Sequence, residues 1–384
     1  MVVEKLFAVV LTATMAITPV TNTCDVFETN LRNVQEQLIE LANEHQTTVT
    51  LVAAGDNLIH SGIIKSGKVE GGYDFNPMYE EVADFIQSFD VAVLNQETIL
   101  VNDPARYSGY PCFGSPYEIG SAVINAGFDI VTHATNHAYD KGESGILESI
   151  AFWDSHNIPY AGINDSPDDN RVLIYEKKGI KIAILNYTYG LNGFVLPSGK
   201  EYLVNTLYDE EQLVADLQCA EENADISIVF PHWGNEYVYM PSEYQKRLAK
   251  LMVDNGADAI IGTHPHVIES GEEIFTDDLQ RVPCWYSIGN FVSNQDEAPR
   301  MLGALACLTI VKDGNGTRVE TWNTVPTITH ISTYSEEFKV YLLENYTDEL
   351  AAQHRLRRVR GSYFTTDYFW RLWAEVLIDD KIEF

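Results

Sequence analysis

The stretch GADAIIGTHPHVIES, residues 256–270, places two histidines directly after an apolar run. The run ends at Ile261 and is typical of a buried strand, and His264 and His266 follow it with Pro265 between them. Side chains two residues apart on an extended segment point to the same side, so both rings are expected to face one site. Proline fixes the backbone between the rings and limits how far they can drift apart. The other members of such a site must come from elsewhere in the chain.

The same arrangement, an apolar strand followed by polar residues, recurs along the chain. Strand-like segments alternate with helical patterns, which predicts an α/β fold built on a central sheet. The predicted strands cover residues 47–56, 89–97, 127–137, 179–189, 224–234 and 256–266, and the predicted helices cover residues 77–88, 116–126, 143–156, 209–223 and 241–255. Residues 302–331 alternate in polarity and turn at the sequence DGNG, a hairpin signal that predicts a mixed or antiparallel part of the sheet.

Several of these strands end in a side chain that can bind a metal ion or move a proton. In open α/β sheets, ligands bind beyond the carboxyl ends of the strands, so these side chains are expected to converge on one rim. They are Asp56, Glu97, Asn136, His137, His232, His264 and His266. Taken singly, an acidic residue in such a position is more typical of a helix cap, and a histidine beside a tryptophan is more typical of a packed residue. The repetition of the pattern is what indicates a site.

The residue types in this group suit a divalent metal ion. Imidazole nitrogens combined with carboxylate and amide oxygens, without thiolate, favour Mn, Fe or Zn. The carboxylates of Asp56 and Glu97 can flank one ion or two, and a two-metal site activates water and neutralises charge on a phosphoryl group. His232 lies in the sequence FPHWGNEY, where aromatic residues are expected to shield it and Glu236 is expected to orient it.

The composition describes an acidic globular protein. The chain has 384 residues, 45% of them hydrophobic and 11% aromatic, which is enough to bury a sizeable core. A formal net charge of −31 argues against binding of nucleic acid or anionic lipid, because both are polyanions. The charge also opposes a broad groove for a polyanionic polymer, although metal ions and a local basic patch could hold one anionic group. The five cysteines are odd in number and form no C-x-x-C motif, which argues against a disulfide framework and a cysteine zinc site.

The two ends of the chain differ from its centre. Residues 6–20 form an apolar run that is too short for a membrane span, so residues 1–24 are interpreted as a signal-like leader or short anchor. This interpretation predicts an exported protein at the cell membrane or cell surface; a truncated leader or a buried strand is the alternative. Helical spacing of leucine and valine predicts an N-terminal helix within residues 25–47. Residues 333–384 are predicted to form a helical, aromatic-rich tail.

Six sequence blocks, in their order, resemble the bacterial capsule-synthesis proteins of the CapA type, which take part in poly-γ-glutamate production. The blocks are AAGDNLIH, NQE, HATNHAYDKGESGI, PHWGNEY, GADAIIGTHPHVIE and YSIGNF. The resemblance covers residues 48–332, and these proteins are distant relatives of the calcineurin-like metallophosphoesterases. It implies a metallophosphatase-like α/β/β/α sandwich with mixed sheets over residues 48–332, followed by the helical tail.

The resemblance also implies roles for individual residues. The implied metal ligands are Asp56, His60, Glu97, Asn136, His232, His264 and His266. His137 is identified as the general acid, and Asp140 is predicted to be the second catalytic residue. The Asp-x-His opening of the phosphoesterases is absent, with His60 as its replacement, and Glu97 stands where those enzymes place a bridging aspartate. These departures leave open whether the site holds one metal ion or two, and whether it hydrolyses a substrate.

The function expected from the resemblance is that of an exported capsule-synthesis protein acting in poly-γ-glutamate production or processing through this metal site. Its expected partners are an anionic polymer or phosphoester substrate and other capsule-synthesis subunits at the membrane. One alternative is a metal-dependent phosphoesterase or other hydrolase unrelated to capsule, and another is a metal-free scaffold of the same fold. The basic segment 354–362 could contact the polymer or anionic headgroups, or could pair with acidic groups of the same chain.

Overall fold

The computed structural model describes residues 46–360 and 364–378, and these residues form eighteen strands and nine α-helices. The strands are β1 (Thr47–Asn57), β2 (Lys68–Val69), β3 (Gly72–Tyr73), β4 (Val91–Asn95), β5 (Leu100–Val101), β6 (Ser115–Pro116), β7 (Ile130–Thr132), β8 (Tyr160–Ala161), β9 (Leu173–Lys177), β10 (Ile180–Thr188), β11 (Ile226–His232), β12 (Ala259–Ile261), β13 (Gly271–Phe275), β14 (Arg281–Trp285), β15 (Asn290–Val292), β16 (Leu302–Asp313), β17 (Gly316–Ile331) and β18 (Phe338–Leu342). The helices are α1 (Ser61–Ser66), α2 (Glu80–Gln87), α3 (Tyr117–Ala126), α4 (Gly142–His156), α5 (Glu210–Asn223), α6 (Glu243–Asp254), α7 (Asp348–Gln353), α8 (Arg355–Arg360) and α9 (Thr366–Ile378).

Two mixed sheets organise these elements. The eight-stranded sheet runs in the order β18-β17-β16-β1-β4-β7-β8, with β15 pairing with the end of β1. Strands β1, β4, β7 and β8 are parallel, whereas the long hairpin β16–β17 and β18 add antiparallel strands on one side. The six-stranded sheet runs in the order β13-β14-β12-β11-β10-β9, with β10, β11, β12 and β14 parallel. The parallel strands of each sheet therefore bring their carboxyl ends to one edge.

The alternation of side chains along β10 shows how the layers stack. Ile182 and Ile184 belong to the core that also contains residues of the eight-stranded sheet. Ala183 and Leu185 point the other way and pack in a second core with side chains of α5 and α6. The helices α2 and α3 contribute apolar residues to the core of the eight-stranded sheet. The predicted α/β/β/α sandwich with mixed sheets is confirmed.

Local sequence signals explain where the helices that cover the six-stranded sheet begin. Asp209 caps α5 by accepting a hydrogen bond from the backbone N–H of Gln212. Ser242 and Gln245 form a capping box at the start of α6, in which each side chain bonds the other residue's backbone N–H. These caps satisfy amides that have no partner inside the helix, and they fix the length of the loops that lead into the helices.

The six predicted strands are present as β1, β4, β7, β10, β11 and β12, and the five predicted helices correspond to α2–α6. The hairpin that turns at DGNG is confirmed by the antiparallel pairing of β16 with β17. The predicted leader over residues 1–24 and the helix over residues 25–47 lie outside the described residues, apart from residues 46 and 47, where β1 begins. Among the described residues, no helix has both the length and the apolar character needed to cross a membrane.

The segment after residue 332 corrects the prediction of a tail that is helical throughout. Phe338–Leu342 forms β18, which pairs antiparallel with β17 at the edge of the eight-stranded sheet. Its alternation of buried Phe338, Val340 and Leu342 with half-buried residues is a strand pattern, and the exposed edge of β17 supplies the partner. The described residues after β18 form a 3₁₀ turn at Leu343–Asn345 and then helices α7, α8 and α9 from Asp348 onward, so the helical C-terminal tail is confirmed there.

Candidate metal centre

Side chains from both sheets converge where their parallel strands end. Asp56 is next to last in β1, and Glu97 lies two residues beyond β4 of the same sheet. His232 is the last residue of β11 in the other sheet, and the histidines of the THPH segment follow β12. The predicted rim therefore exists, and it lies at the junction of the two sheets.

Four of the predicted ligands form a closed ring of short distances. His266 Nδ1 lies 3.3 Å from Asp56 Oδ2, and His266 Nε2 lies 3.6 Å from Glu97 Oε1. His232 Nδ1 lies 3.7 Å from Asp56 Oδ1, and His232 Nε2 lies 3.9 Å from Glu97 Oε1. Each histidine ring faces Asp56 through Nδ1 and Glu97 through Nε2, and a ring binds one ion through one nitrogen, so the four distances bring the donors together without all belonging to one ion. Asp56, Glu97 and His266 each offer an atom within 4.8 Å of the other two.

The Glu97 carboxylate is the clearest indication that this ring holds a cation. Its side chain is fully buried, and neither carboxylate oxygen has a hydrogen-bond partner among the described residues. Burial raises the pKa of Glu97 well above its usual range, against the opposing attraction of His266. Burial lowers the pKa of His266, but the carboxylates of Glu97 and Asp56 outweigh it and raise that pKa to about 9. A divalent cation would satisfy the oxygens of Glu97. It would also replace the proton that these side chains otherwise share.

The THPH segment (residues 263–266) reaches these side chains by a different backbone path from the one predicted. Strand β12 ends at Ile261, and His264 and His266 have positive φ values of 100° and 59°. The expectation that alternation along an extended strand brings the rings together is therefore wrong. Left-handed backbone at both histidines folds the segment back instead, and the ring centroids lie 5.8 Å apart. Asp56 supports this path, since its Oδ2 accepts a 3.1 Å hydrogen bond from the backbone N–H of His264.

His232 is oriented by neighbours on both ring nitrogens. Nδ1 lies 2.9 Å from Thr263 Oγ1, and Nε2 lies 2.9 Å from Asn136 Oδ1. The prediction that Glu236 orients His232 is replaced by these two contacts. Asn136, a predicted ligand, is thereby placed beside His232, and its role as a ligand stays a prediction. Burial lowers the pKa of His232 well below its usual range, so the ring is a neutral nitrogen donor.

The predicted catalytic pair lies beside this centre. His137 Nδ1 is 2.7 Å from Asp140 Oδ2, which also accepts a 2.6 Å hydrogen bond from the backbone N–H of Phe113. Asn192 covers the pair from the loop after β10. Its Nδ2 lies 3.3 Å and 3.5 Å from the two ring nitrogens of His137, and its Oδ1 accepts from Asn136 Nδ2 at 3.2 Å.

His60 lies at the edge of the site. Its Nδ1 is 3.2 Å from the carbonyl oxygen of Leu58 and 3.3 Å from the backbone nitrogen of Asn294, and its ring packs edge-on against Phe113. Neither of the two His/Asp/Glu groups that could hold an ion in the described parts of the chain includes His60. Its role as a ligand stays a prediction.

Sequence reasoning missed three residues that the fold brings to the centre. Asn192 was not singled out, Thr263 was given no role in the centre, and Glu236 was given a different role. Glu236 groups with His264 and His266, with ligand atoms within 4.8 Å of one another. Asn192 lies in an irregular loop, for which strand-end patterns give no signal. Its neighbour Gly193, in the sequence LNGF, indicates a turn but not what the turn approaches.

Comparison with known proteins identifies the family. Residues 50–295 match the family model described as "Bacterial capsule synthesis protein PGA_cap". The chain belongs to this bacterial capsule-synthesis family. The matched range contains the whole centre, from Asp56 to Asn290, whose Oδ1 lies 3.0 Å from His266 Nδ1. The resemblance seen in the six sequence blocks is therefore confirmed.

Two relatives carry capsule-related names. "Capsule biosynthesis protein CapA" of Bacillus anthracis is 27% identical over 269 residues, which are 68% of this chain and 63% of that protein. "PGA biosynthesis protein CapA" of Bacillus subtilis (strain 168) is 33% identical over 192 residues, which are 49% of each chain. This member of the capsule-synthesis family thus aligns with less than two thirds of the length of either relative.

Two solved structures are similar to part of this family member. The calcineurin-like phosphoesterase YfkN from Bacillus subtilis gives a TM-score of 0.44 at 14% identity, covering 73% of this chain and 90% of that one. A putative 5′-nucleotidase from Staphylococcus aureus gives a TM-score of 0.45 at 15% identity, covering 73% of this chain and 54% of that one. Both likenesses are partial.

Proposed function

We propose that this capsule-synthesis family member acts in poly-γ-glutamate production or processing through a divalent metal centre at its strand ends. The observation that carries the proposal is the buried Glu97 carboxylate beside Asp56 and His266, whose two oxygens accept no hydrogen bond from any described residue. Family membership and the names of the two CapA relatives support the capsule role. The same observation weighs against a metal-free scaffold, because an unpartnered buried carboxylate is costly without a cation.

The residues that would hold the metal divide into two neighbouring sets. Asp56, Glu97 and His266 supply two carboxylates and one imidazole. His232 Nε2 lies 3.9 Å from Glu97 Oε1 and 2.9 Å from Asn136 Oδ1, so His232 and Asn136 could extend the site toward a second ion. Nitrogen and oxygen donors without thiolate favour Mn, Fe or Zn. Such an ion supplies a Lewis acid that polarises a bound phosphoryl or carbonyl oxygen and activates water.

His137 is the residue placed to move a proton beside the metal centre. Its Nδ1 is engaged by Asp140 Oδ2 at 2.7 Å, which fixes the ring, and Nε2 is the nitrogen that would reach a substrate in place of Asn192 Nδ2, 3.5 Å away. When protonated, the ring can give its Nε2 proton to the leaving oxygen of a phosphoester or the leaving nitrogen of an amide. Asp140 in turn is held by the backbone N–H of Phe113. This pair favours hydrolysis, so a metal-dependent phosphoesterase unrelated to capsule is the second candidate function.

An anionic substrate must approach a strongly acidic protein. The net charge of −31 opposes a long polyanion lying across the surface, and it favours recognition of one anionic group at the metal. A processing site for a poly-γ-glutamate end or branch fits this electrostatic constraint better than an extended groove.

Action at the cell envelope, with other capsule-synthesis subunits at the membrane, is part of the proposal; the apolar run at residues 6–20 supports export. A C-terminal reporter fusion that stays in the cytoplasm with the leader retained would contradict export.

The metal content of purified protein tests the centre directly. We expect the wild-type protein to retain a divalent ion after gentle purification, measured by inductively coupled plasma mass spectrometry. Glu97→Gln should lose it while keeping the fold by circular dichroism. Glu269→Gln is the matched control, because Glu269 is also buried and its pKa is raised to about 8 by burial, so an uncharged amide resembles its natural state. Wild-type protein with no bound metal, or equal metal in the wild type and Glu97→Gln, would overturn the proposal.

The substrate is tested separately from the metal. Metal-loaded protein is incubated with poly-γ-glutamate and with a panel of phosphomonoesters and phosphodiesters. Shortening of the polymer that is lost in His137→Ala supports the capsule role. Turnover of a phosphoester without any effect on the polymer would favour the second candidate function instead.

A further inference from the structure

The C-terminal segment brings an arginine to the edge of the metal centre. Arg355 is the first residue of α8, and its Nη2 donates a 2.5 Å hydrogen bond to Asn294 Oδ1. Asn294 lies two residues after β15, where its backbone nitrogen is 3.3 Å from His60 Nδ1. A Cβ atom built on Gly62 would lie 2.3 Å from Asn294 Nδ2, so the glycine leaves the space that the amide occupies. Asn294 therefore connects Arg355 to the edge that His60 forms.

Two ring contacts connect this edge with the residue placed to move a proton. The His60 ring packs edge-on against Phe113, with centroids 5.3 Å apart, and Phe113 packs against His137 at 4.5 Å. His60, Asn294 and Arg355 are each partly exposed. A substrate anchored at the metal beside His137 could therefore extend along this edge as far as Arg355.

The Arg355 guanidinium has no carboxylate partner among the described residues, although the protein is strongly acidic. Most of the other arginines whose side chains are described form ion pairs with aspartate or glutamate. The paired arginines are Arg106, Arg171, Arg247, Arg281, Arg300, Arg318 and Arg371. Arg357 instead donates to the Phe364 carbonyl oxygen, within the C-terminal segment. A guanidinium carries five N–H donors, and Asn294 takes one of those on Arg355, so a fork remains for an anion from outside the chain.

The local charge at this edge is positive. Glu336 acts on Arg355 through its charge, but its carboxylate pairs with Lys65 at 2.7 Å. That hydrogen bond lowers the pKa of Glu336, and Arg355 lowers it further without pairing with it. Lys65 and Arg355 thus place two positive charges against one negative charge. An approaching anion is attracted to this edge more than to the acidic surface of the rest of the protein.

We propose that Arg355 binds a free α-carboxylate of a poly-γ-glutamate chain whose reacting group lies at the metal. The γ-linkage uses the side-chain carboxyl group and leaves one α-carboxylate on every residue of the polymer. A guanidinium matches a planar carboxylate through two parallel N–H···O bonds. This inference rests on the proposed function, and it adds a second anchoring point for the substrate. Arg355 lies outside residues 50–295, which match the family model, so this specificity determinant belongs to the C-terminal segment of this chain.

Binding of a γ-linked pentaglutamate tests the contact. Fluorescein-labelled peptide is titrated with metal-loaded, full-length protein, and fluorescence anisotropy gives Kd. Arg355→Gln should weaken binding by about 10-fold or more, the loss expected for a hydrogen bond between charged groups. Arg355→Lys keeps the charge but not the fork, so its Kd should fall between those of the wild type and Arg355→Gln. Arg371→Gln removes the same charge from an exposed position in α9 and should bind like the wild type.

A set of modified peptides separates direct contact from a change in fold or in overall charge. Each pentapeptide has one α-carboxylate replaced by an amide. One of them should bind the wild type about 10-fold more weakly and should not be weakened further by Arg355→Gln, because both changes remove the same contact. The other peptides should stay sensitive to Arg355→Gln. If no peptide shows this coupling, Arg355 does not bind a carboxylate and the inference is overturned.

The outcomes keep the inference distinct from the proposed function. If Arg355→Gln binds the pentaglutamate like the wild type while Glu97→Gln binds it more weakly, the role of Arg355 is overturned and the metal centre stands. A wild-type protein that does not bind the peptide overturns the proposed capsule role and the inference with it. Vesicles of phosphatidylglycerol provide the remaining comparison. Binding to vesicles that is lost in Arg355→Gln, without a change in peptide binding, would assign the arginine to lipid headgroups and overturn the inference.

Discussion

At the scale of single residues, Asp140 shows how one carboxylate prepares a neighbouring histidine. The Asp140 side chain is buried, and Oδ2 is shared between the His137 ring and the Phe113 backbone amide. A carboxylate held at Nδ1 keeps the ring in the tautomer that presents Nε2 to a substrate, as in other histidine–carboxylate pairs. Asn192 Nδ2 approaches the same ring from a separate loop, 3.3 Å from Nδ1 and 3.5 Å from Nε2.

Asp140→Asn tests this arrangement. Asparagine keeps the size of the side chain but cannot stabilise a protonated His137, so we expect kcat to fall by about 100-fold, within the range of general acid–base catalysis. Bound metal should be unchanged, because Asp140 does not touch Asp56, Glu97 or His266. The measurements are kcat on whichever substrate the wild type turns over and metal content by mass spectrometry.

The control for this substitution is Asp168→Asn, an exposed aspartate in the loop before β9, which should leave both quantities unchanged. A variant Asp140→Asn with wild-type kcat would remove Asp140 from the catalytic pair. Nitrogen-15 NMR of labelled histidine offers a readout that needs no substrate. The His137 Nδ1–H resonance should shift in Asp140→Asn and stay in place in Asp168→Asn.

At the scale of elements, the end of β1 is positioned by its close approach to β15. The Asp56 N–H donates to the Gly289 carbonyl oxygen at 3.0 Å, and Asp56 is in register with Asn290. A Cβ atom built on Gly55 would lie 2.0 Å from that same carbonyl oxygen, which is backbone and cannot rotate away. Gly55 is therefore required so that β1 can deliver Asp56 to the metal while β15 delivers Asn290 to His266.

Gly55→Ala is expected to separate β1 from β15. The added methyl group forces a backbone shift, which typically lowers the free energy of unfolding by about 1–3 kcal/mol. Metal affinity should fall as well, because Asp56 moves with the strand. Urea denaturation and Mn²⁺ titration measure the two effects. Gly314→Ala is the matched control, since nothing lies within 4 Å of its added Cβ, and both quantities should then stay near wild type. Wild-type stability and affinity in Gly55→Ala would contradict this account.

The elements also show what the sequence could and could not predict. Apolar runs in the sequence predicted β1, β4 and β11. The polar residues at their ends, Asp56, Glu97 and His232, could be chosen as site candidates because strand direction alone sets where such residues meet. The path of the THPH segment depends on left-handed backbone that is stabilised by contacts from β1 and another loop, and no local pattern encodes those contacts. The same holds for β18, whose partner edge on β17 exists only once the hairpin has formed.

At the scale of the whole molecule, the C-terminal segment is joined to the eight-stranded sheet through buried histidines. His330 of β17 has Nδ1 at 2.7 Å from the Tyr346 hydroxyl, and its ring lies 5.4 Å from that of His354. The His354 ring stacks on Phe364 at 3.7 Å, centroid to centroid. A protonated ring in this cluster would bury a charge next to another imidazole, so the docking of the last helices depends on both histidines being neutral.

Acid should therefore weaken the fold through this cluster. Burial lowers the pKa of His330 to about 4, below the ordinary value of 6.5 that the unfolded chain regains, and burial lowers the pKa of His354 further still. Between those values the unfolded chain binds more protons, so stability is fully present above pH 6.5 and is lost as the pH falls toward 4. Each such histidine changes the free energy of unfolding by at most about 1.4 kcal/mol per pH unit.

Urea denaturation of metal-free protein at pH 7.5, 6.5 and 5.5 measures this slope, with metal removed so that pH-dependent release of an ion does not add to it. Other buried histidines also contribute to the wild-type slope, His60 in the same direction and His266, whose pKa is raised to about 9, in the opposite one, so the informative quantity is the difference between variants. His330→Gln keeps a hydrogen-bonding side chain opposite the Tyr346 hydroxyl but cannot take up a proton, and its stability should fall less steeply below pH 6.5 than that of the wild type. His156→Gln replaces an exposed histidine at the end of α4 and should reproduce the wild-type slope. Identical slopes for His330→Gln and the wild type would show that His330 is protonated equally in the folded and unfolded chain, and that the C-terminal segment docks without the constraint argued for it.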